Sequence, residues 1–228
     1  MPLAVTEFAT RDALMQAAAK RMADTLTDAI AQRGSACAAL SGGGTPAPAY
    51  RALSALPLDW PKITLALVDE RYVPPQDAAS NEGLVRREFK DAFEAGAQFK
   101  PMYAPPTVEH AADIAEQIYA PMRIDIALMG MGGDGHTASW FPGAAQLGEA
   151  LGLDNARTVM AITAAQAEGS TERLTLTRSA FTRIEKVVLL ITGADKRARL
   201  EAALAGDYAP VAALFAPALP EPEVFWSA

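Results

Sequence analysis

The chain has 228 residues, half of them hydrophobic, and a formal net charge of −7. This length and hydrophobic content allow a sizeable core, and we predict a single domain spanning residues 1–228. The acidic balance argues against nonspecific nucleic-acid binding, which needs many Lys and Arg contacts to phosphates. It still allows one cationic pocket for a small anionic substrate.

The sequence contains no pattern typical of a membrane or secreted protein. It has no run of about 18 apolar residues, so we expect no membrane-spanning segment. The stretch MPLAVTEFATRD at its start lacks the basic residues and long apolar run of a signal peptide. Cys37 is the single cysteine, so no intrachain disulfide can form. We therefore expect a cytoplasmic protein, either a monomer or a small homo-oligomer.

The first predicted element is an amphipathic helix over residues 11–33, which Gly34 would end. Residues 36–41 are small and apolar, and we predict that they form a buried strand. A glycine-rich turn follows. Thr45 and Pro46 are typical of the cap and first turn of a helix, which we predict over residues 46–55.

Further apolar runs predict strands that are buried on both faces. The strongest are residues 63–69, 124–130 and 186–193, and the weaker candidates are residues 158–164 and 224–227.

Helical patterns separate these strands. Besides the helices already named, they cover residues 81–93, 109–120, 174–183 and 194–205. Alternation of strand and helix predicts an α/β fold, with a mostly parallel, Rossmann-like sheet and helices on both faces. Ligands of such sheets bind beyond the carboxyl ends of the strands, where the polar and glycine-rich motifs of this sequence occur.

The first of these motifs is SGGGTP, from Ser41 to Pro46. A strand, a glycine turn and a helix start expose backbone N–H groups that can bind phosphate. The motif is not a P-loop, because no Gly-Lys-Ser/Thr follows. A tight turn would also use glycine, but three in a row exceed what a turn requires, so we favour anion binding.

Two charged motifs come next. In VDERYVPP, Arg71 could offer a fork of donors to a ligand, or an Asp–Arg ion pair could simply lie on the rim, and the stretch alone does not decide between them. In SNEGLVRREF, Ser80 or Asn81 could cap a helix, and ordinary capping is the better interpretation.

The stretch LMGMGGDGHTASWFPG has two interpretations. Gly130, Gly132 and Gly135 match the dinucleotide-binding pattern G-x-G-x-x-G. However, Pro142 and Gly143 would break the helix that such a site needs, so we disfavour this interpretation.

The same stretch supports a hydrolytic interpretation. His136 can act as a general base at neutral pH, and Asp134, two residues earlier, can orient its ring. No nucleophile is obvious, because Cys37 lies within an apolar strand and Ser139 has no G-x-S-x-G context. We therefore predict that the base activates water. The other histidine, His110, fits an ordinary helix start.

Metal and cofactor sites are not predicted, because one histidine with scattered acids does not give the ligand spacing that zinc needs. Two late cations, Arg173 in ERLTLT and Lys196 in GADKR, fall at element boundaries. They could be surface charges, or they could line the mouth of the sheet.

Together these motifs resemble the 6-phosphogluconolactonase family, within a larger group that also contains glucosamine-6-phosphate deaminase. The resemblance covers nearly the whole chain. Phe141 stands where deaminases have an acidic residue, and Arg71 stands where they tend to have Tyr, so both favour the lactonase. Asp69 matches the proton-abstracting aspartate of the deaminases and does not discriminate. The stretch AAQAEGST departs from the family in lacking prolines, which leaves the placement of Arg173 open.

The resemblance implies hydrolysis of a phosphosugar lactone, 6-phospho-D-glucono-1,5-lactone, without metal or cofactor. It implies His136 as the base, Asp134 as its partner and Arg71 as the group that stabilises the oxyanion. The substrate-binding residues it implies are Ser41, Gly43, Gly44, Thr45, Asp69, Arg173 and Lys196. A deaminase or isomerase of the same fold, and a sugar-phosphate sensor without catalysis, are the alternatives.

Overall fold

The computed structural model describes residues 3–167 and 169–228. Its strands, in chain order, are β1 (Val5–Phe8), β2 (Ala36–Leu40), β3 (Ile63–Leu67), β4 (Asp69–Arg71), β5 (Gln98–Phe99), β6 (Ile126–Gly130), β7 (Val159–Thr163), β8 (Glu172–Leu176), β9 (Lys186–Thr192) and β10 (Glu223–Ser227). Seven of them form a parallel sheet in the order β1-β10-β9-β6-β2-β3-β5. The other three form an antiparallel sheet in the order β4-β8-β7.

The helices separate the strands along the chain. They are α1 (Arg11–Arg33), α2 (Ala47–Ser54), α3 (Asn81–Glu88), α4 (Lys90–Glu94), α5 (Val108–Tyr119), α6 (Leu147–Ala150) and α7 (Ala194–Leu204). Short 3-10 segments cover Trp60–Lys62, Arg178–Arg183 and Pro210–Phe215. The predicted α/β fold with a mostly parallel sheet is therefore confirmed. Within the described residues, no helix combines the length and hydropathy needed to cross a bilayer.

Helix α1 matches its prediction in both limits, and its ends show why. The side chain of Thr10 accepts a hydrogen bond from the backbone N–H of Ala13 at 3.1 Å, which caps the start. Gly34 ends the helix in the left-handed conformation with φ of 80°, and its N–H donates to the Ile30 carbonyl. Between these ends, Leu14, Met22 and other apolar side chains are buried against the sheet.

The strongest predicted strands are confirmed as β2, β3, β6 and β9, with ends that differ by one or two residues. The weaker candidates are confirmed as well. Residues 158–164 contain β7, which lies in the antiparallel sheet. Residues 224–227 lie in β10, which is an interior strand between β1 and β9. The helix predicted over residues 81–93 is interrupted at Phe89, a fully buried residue whose backbone departs from helical geometry.

The helix predicted over residues 174–183 is wrong. Residues 172–176 form β8, which pairs with β4 on one side and β7 on the other, and only the 3-10 segment Arg178–Arg183 follows. Leu174, Thr175 and Leu176 are all fully buried, and the alternation of leucine with the β-branched threonines suits a strand that is paired on both edges. Arg173 is consequently a strand residue and does not precede a helix.

Val68 joins the two sheets. Its N–H donates to the Leu40 carbonyl in the parallel sheet, and its own carbonyl accepts from the Leu176 N–H in the antiparallel sheet. The predicted strand 63–69 therefore ends at Leu67, and the chain changes sheet before Asp69. This change directs the DER segment towards the carboxyl ends of β2 and β6, where the functional motifs meet.

Candidate active site

A cavity of about 370 Å³ lies at the carboxyl ends of the parallel strands. We call it the edge cavity. Eight of the residues predicted to act on substrate line it: Ser41, Gly43, Thr45, Asp69, Arg71, His136, Arg173 and Lys196. Asp134 lines an adjoining pocket together with His136 and Arg173. Gly44, which was predicted with its neighbours, is not among the described residues that line either pocket.

The turn Gly132–His136 presents the histidine, and we call it the histidine turn. The N–H of Gly132 donates to the His136 carbonyl at 2.9 Å, and that of Gly135 donates to the Gly132 carbonyl at 3.1 Å. A Cβ at Gly132 would lie 2.2 Å from Nδ1 of His136, so only glycine allows the imidazole to lie there. The next helix begins only at Leu147, so the turn lacks the helix start of a dinucleotide site.

His136 and Asp134 form the predicted pair. Nδ1 of His136 lies 2.7 Å from Oδ1 of Asp134, and the same oxygen accepts the backbone N–H of His136 at 3.0 Å. Burial raises the pKa of Asp134, but its bonds to the His136 amide and imidazole outweigh burial and leave this pKa below its ordinary value. An ionised carboxylate at this distance favours the imidazole tautomer that carries its proton on Nδ1 and has Nε2 as an acceptor.

The imidazole is also held by an aromatic ring. The His136 and Phe141 rings are stacked, with centroids 4.0 Å apart and planes 25° from parallel. The guanidinium carbon of Arg173 lies 5.0 Å from the centroid of the same Phe141 ring. The segment that carries Phe141 is anchored where the indole N–H of Trp140 donates to the Leu176 carbonyl at 2.9 Å. Phe141 thus fixes the plane of the His136 ring and packs beside a cation.

Two arginines meet through the antiparallel sheet. Arg71 on β4 and Arg173 on β8 are directly paired residues, although they lie far apart in the sequence. Burial lowers the pKa of Arg173, and the nearby Asp69 carboxylate opposes this. Arg71 donates from Nη1 to the Ala79 carbonyl, while its Nε is buried and has no partner among the described residues. The alternative of an Asp–Arg ion pair on the rim is wrong, because Asp69 bonds to Ser139 instead.

Lys196 adds a third cation from the first turn of α7. Its Nζ donates to the Met131 carbonyl at 2.6 Å, next to the histidine turn. Burial lowers the pKa of this lysine, and the charge of Asp134 opposes the shift. Lys196 is thus held at the edge cavity and is not a free surface charge.

The SGGGTP turn forms another wall of the edge cavity. The Tyr50 hydroxyl donates to the Ser41 carbonyl at 2.6 Å, which ties the turn to α2. Gly43 has φ of 90°, a conformation that favours glycine. The predicted Thr45 cap is wrong: α2 begins at Ala47 after Pro46, and no side chain caps it. Thr45 instead lines the edge cavity.

Sequence reasoning missed Glu70. This buried carboxylate accepts the backbone N–H groups of Arg71, Asn81 and Glu82, each at 2.7 Å, and the Ser80 hydroxyl at 3.0 Å. Burial raises its pKa to about 7, and these four hydrogen bonds oppose the rise. Glu70 therefore joins β4 to the start of α3.

Asn81 was also missed as a site residue. Ser80 caps α3 as expected, because its hydroxyl accepts the Gly83 N–H at 3.1 Å. Asn81 does not cap the helix; it is buried and lines the edge cavity. The sequence did contain a signal: a polar residue, Asn81, follows the Ser80 cap, and SGGGTP has more glycines than a turn requires. Only the structure shows that these two segments touch.

Neither Ser139 nor Cys37 is placed to act as a nucleophile, and neither lines the edge cavity. Ser139 is fully buried, and its hydroxyl donates to Oδ2 of Asp69 at 2.7 Å. Burial raises the pKa of the Cys37 thiol to about 12, which leaves it unreactive. His110 lies at the start of α5, where its backbone N–H donates to the Thr107 side chain. The part of the chain that the structure describes holds no cluster of three or more His, Cys, Asp or Glu side chains suited to a metal.

Comparison with known proteins shows the family to which this chain belongs. The family model for glucosamine-6-phosphate isomerases/6-phosphogluconolactonase matches residues 9–226. A 6-phosphogluconolactonase of Mesorhizobium japonicum is 42% identical over 225 residues, covering 96% of this chain and 93% of that protein. One of Caulobacter vibrioides is 37% identical over 231 residues, covering 99% and 98%.

A solved structure is similar over the same extent. The crystal structure of a 6-phosphogluconolactonase from Shewanella baltica OS155 matches with a TM-score of 0.90 at 33% identity. The match covers 98% of this chain and 97% of that one. The likeness therefore extends over nearly the whole fold.

Proposed function

We propose a function for this chain from one premise: it belongs to the family of glucosamine-6-phosphate isomerases and 6-phosphogluconolactonases. The proposed reaction is hydrolysis of 6-phospho-D-glucono-1,5-lactone to 6-phospho-D-gluconate, a step of the oxidative pentose phosphate pathway. The observation that carries the proposal is the His136–Asp134 pair. His136 lines the edge cavity together with the cations Arg71, Arg173 and Lys196, and Asp134 lines the adjoining pocket. The names of the relatives support the same substrate.

The proposed chemistry begins at Nε2 of His136. This atom takes a proton from water as the water oxygen attacks the lactone carbonyl carbon. The tetrahedral intermediate then breaks the bond to the ring oxygen, and the imidazolium returns its proton to that oxygen, which becomes a hydroxyl. Asp134 keeps the ring oriented through Nδ1 and stabilises the transient imidazolium.

The cations have separate roles in this proposal. Arg71 stabilises the negative charge that develops on the carbonyl oxygen. The amides of Gly43 and Thr45, with Arg173 and Lys196, hold the phosphate and so orient the ring for attack. Gly44, placed with them by the sequence, is left out because it does not line the edge cavity.

Further expectations complete the proposal. The reaction requires no metal and no cofactor, because the lactone is an activated ester and a general base alone accelerates such chemistry by about 10²–10⁴-fold. We expect the protein to act in the cytoplasm, as a monomer or a small homo-oligomer, and without nucleic-acid or membrane partners.

The family also contains deaminases, which are the alternative. Phe141 stands where deaminases carry an acidic residue, and its ring stacks on His136. No carboxylate from that position can therefore reach the imidazole. Asp69, the counterpart of the deaminase base, is bonded by Ser139.

Two assays test the proposed function. Proton release is followed with freshly generated 6-phosphogluconolactone, and the rate without protein is subtracted. Ammonia release is followed with glucosamine 6-phosphate. We expect catalysis in the first assay only. Ammonia release would favour the deaminase, and ligand binding without any turnover would favour a sensor.

A further inference from the structure

We propose that Oδ1 of Asn81 and Oγ of Ser41 form a pair that binds ring hydroxyls of the sugar acid and sets specificity for them. We call the two atoms the hydroxyl pair. The inference rests on the proposed function and adds a subsite to it. Its basis is that both atoms are buried, both belong to residues that line the edge cavity, and neither has a partner among the described residues.

The orientation of the Asn81 side chain is fixed by the protein. Nδ2 donates to the Asp69 carbonyl at 2.7 Å, and the backbone N–H of Asn81 donates to Glu70 at 2.7 Å. If the Asn81 amide were reversed, its Oδ1 would face the Asp69 carbonyl oxygen, and two acceptors would repel each other. The Asp69 carbonyl therefore determines which end of the amide can bind a ligand. That end is Oδ1, an acceptor, in a residue that is only 1% exposed.

Gly42 makes room for this acceptor. A Cβ at Gly42 would lie 1.7 Å from Oδ1 of Asn81, so no other residue fits without moving the amide. The backbone at position 42 does not itself require glycine, because the φ angle of Gly42 is not in the left-handed region. The second residue of the SGGGTP turn is therefore glycine for close approach of Asn81, and this approach brings Asn81 beside Ser41.

Ser41 supplies the second atom. Its carbonyl is occupied by the Tyr50 hydroxyl, but its own Oγ is buried and contacts no polar group among the described residues. Buried polar atoms are paired in the great majority of cases, so two exceptions in residues that line the same cavity point to a ligand. Removing Oγ breaks no hydrogen bond within the described protein.

The chemistry of the pair selects its ligand. Oδ1 of Asn81 only accepts hydrogen bonds, whereas a serine hydroxyl both donates and accepts. An ionised phosphate has no donor for Oδ1 and would be repelled by it. A sugar hydroxyl can donate to Oδ1 and accept from Oγ. The hydroxyl pair is therefore suited to the ring hydroxyls and not to the phosphate end, which the cations hold.

The experiment compares four lactones. They are 6-phosphogluconolactone and the three analogues that lack the hydroxyl at ring carbon 2, 3 or 4. kcat/KM is measured for the unsubstituted protein, for Ser41→Ala and for Asn81→Ala. Asn155→Ala is the matched control, because Asn155 bonds within its own loop and away from the edge cavity.

We expect the unsubstituted protein and the control to discriminate against at least one analogue by about 5- to 100-fold, since an acceptor or donor would be left unpaired. Ser41→Ala and Asn81→Ala should lower kcat/KM for the natural lactone and bring discrimination against that same analogue close to unity. Because Ser41→Ala breaks no described contact, it decides the outcome if Asn81→Ala does not fold.

Two results would overturn the inference alone: unchanged discrimination in Ser41→Ala, or an equal loss on all four lactones, which would indicate a purely structural role. Lack of turnover of any lactone by the unsubstituted protein would instead overturn the proposed function, and the inference with it.

Discussion

His136 is held from three sides. Asp134 bonds Nδ1, Phe141 stacks on the ring, and Gly132 leaves the space that the ring occupies. The hydrogen bond and the ring stack restrict rotation of the imidazole, and the space at Gly132 allows it to lie in this position. The expected benefit is a base that meets its water in a constant geometry, because a displacement of about 1 Å can cost about 10²-fold in rate.

A methyl group at Gly132 tests this constraint. In Gly132→Ala the new Cβ would lie 2.2 Å from Nδ1, so the imidazole must move. We expect kcat for lactone hydrolysis to fall by about 10²-fold, with a smaller change in KM. Gly148→Ala is the control, since a Cβ there meets nothing within 4 Å. Equal kcat values for the two variants would show that the position of His136 does not depend on Gly132.

At the scale of elements, the Glu70 carboxylate makes more hydrogen bonds between β4 and the start of α3 than any other side chain among the described residues. Glu70 accepts three backbone N–H groups and one hydroxyl, and the residues it binds include Arg71 and Asn81 of the edge cavity. The carboxylate therefore sets the position of two site residues without lining the cavity itself.

Glu70→Ala should leave those donors buried without partners. We expect the free energy of unfolding to fall by about 2–3 kcal/mol or more, seen as a lower midpoint of urea denaturation. Glu94→Ala, at an exposed glutamate on α4, should stay within about 0.5 kcal/mol of the unsubstituted protein. If Glu70→Ala kept the original midpoint, the connection would be held by other contacts.

The sequence predicts the elements whose patterns are local. Helix α1 has a cap, a four-residue apolar repeat and a terminal glycine, and the parallel strands are continuous apolar runs. The helix prediction over residues 174–183 missed a local signal, because Leu174 and Leu176 alternate with threonines in ERLTLT, the period-two pattern of a strand. The structure pairs this strand, β8, with β4 and β7. The same pairing brings Arg71 beside Arg173, and no local pattern contains that register.

Within the site, the motif-bearing residues were predictable and the supporting ones were not. His136, Asp134 and the glycine turns carry recognisable spacing. Asn81 and Glu70 act through contacts between the DER segment and the start of α3, about ten residues further along the chain. Neither motif alone shows that the two segments touch, and the capping pattern around Ser80 conceals the role of Asn81.

At the scale of the whole molecule, the edge cavity lies at the carboxyl ends of the parallel strands, and Cys37 lies near their opposite, amino ends. Cys37 lies near the beginning of β2, and its backbone N–H donates to the buried Asp125 at 2.8 Å. Burial raises the pKa of its thiol to about 12. At pH 8 the thiol is therefore protonated in the folded protein and becomes reactive only when the sheet opens.

Thiol labelling should measure how well the folded protein protects Cys37. We expect no reaction of native protein with a thiol reagent at pH 8, and labelling of one thiol per chain when urea unfolds it, at the same midpoint as loss of helical circular dichroism. Cys37→Ser provides the blank. Rapid labelling of the native protein would mean that β2 is open to solvent.

The proposed reaction requires one proton acceptor, the imidazole of His136. The most direct test is the proton-release rate of His136→Ala with fresh 6-phosphogluconolactone, compared with His110→Ala, which removes the other histidine at the exposed start of α5. We predict a fall in kcat of about 10²–10⁴-fold for His136→Ala, with unchanged circular dichroism, and a normal rate for His110→Ala. Turnover by a folded His136→Ala protein at the rate of the unsubstituted chain would contradict the account.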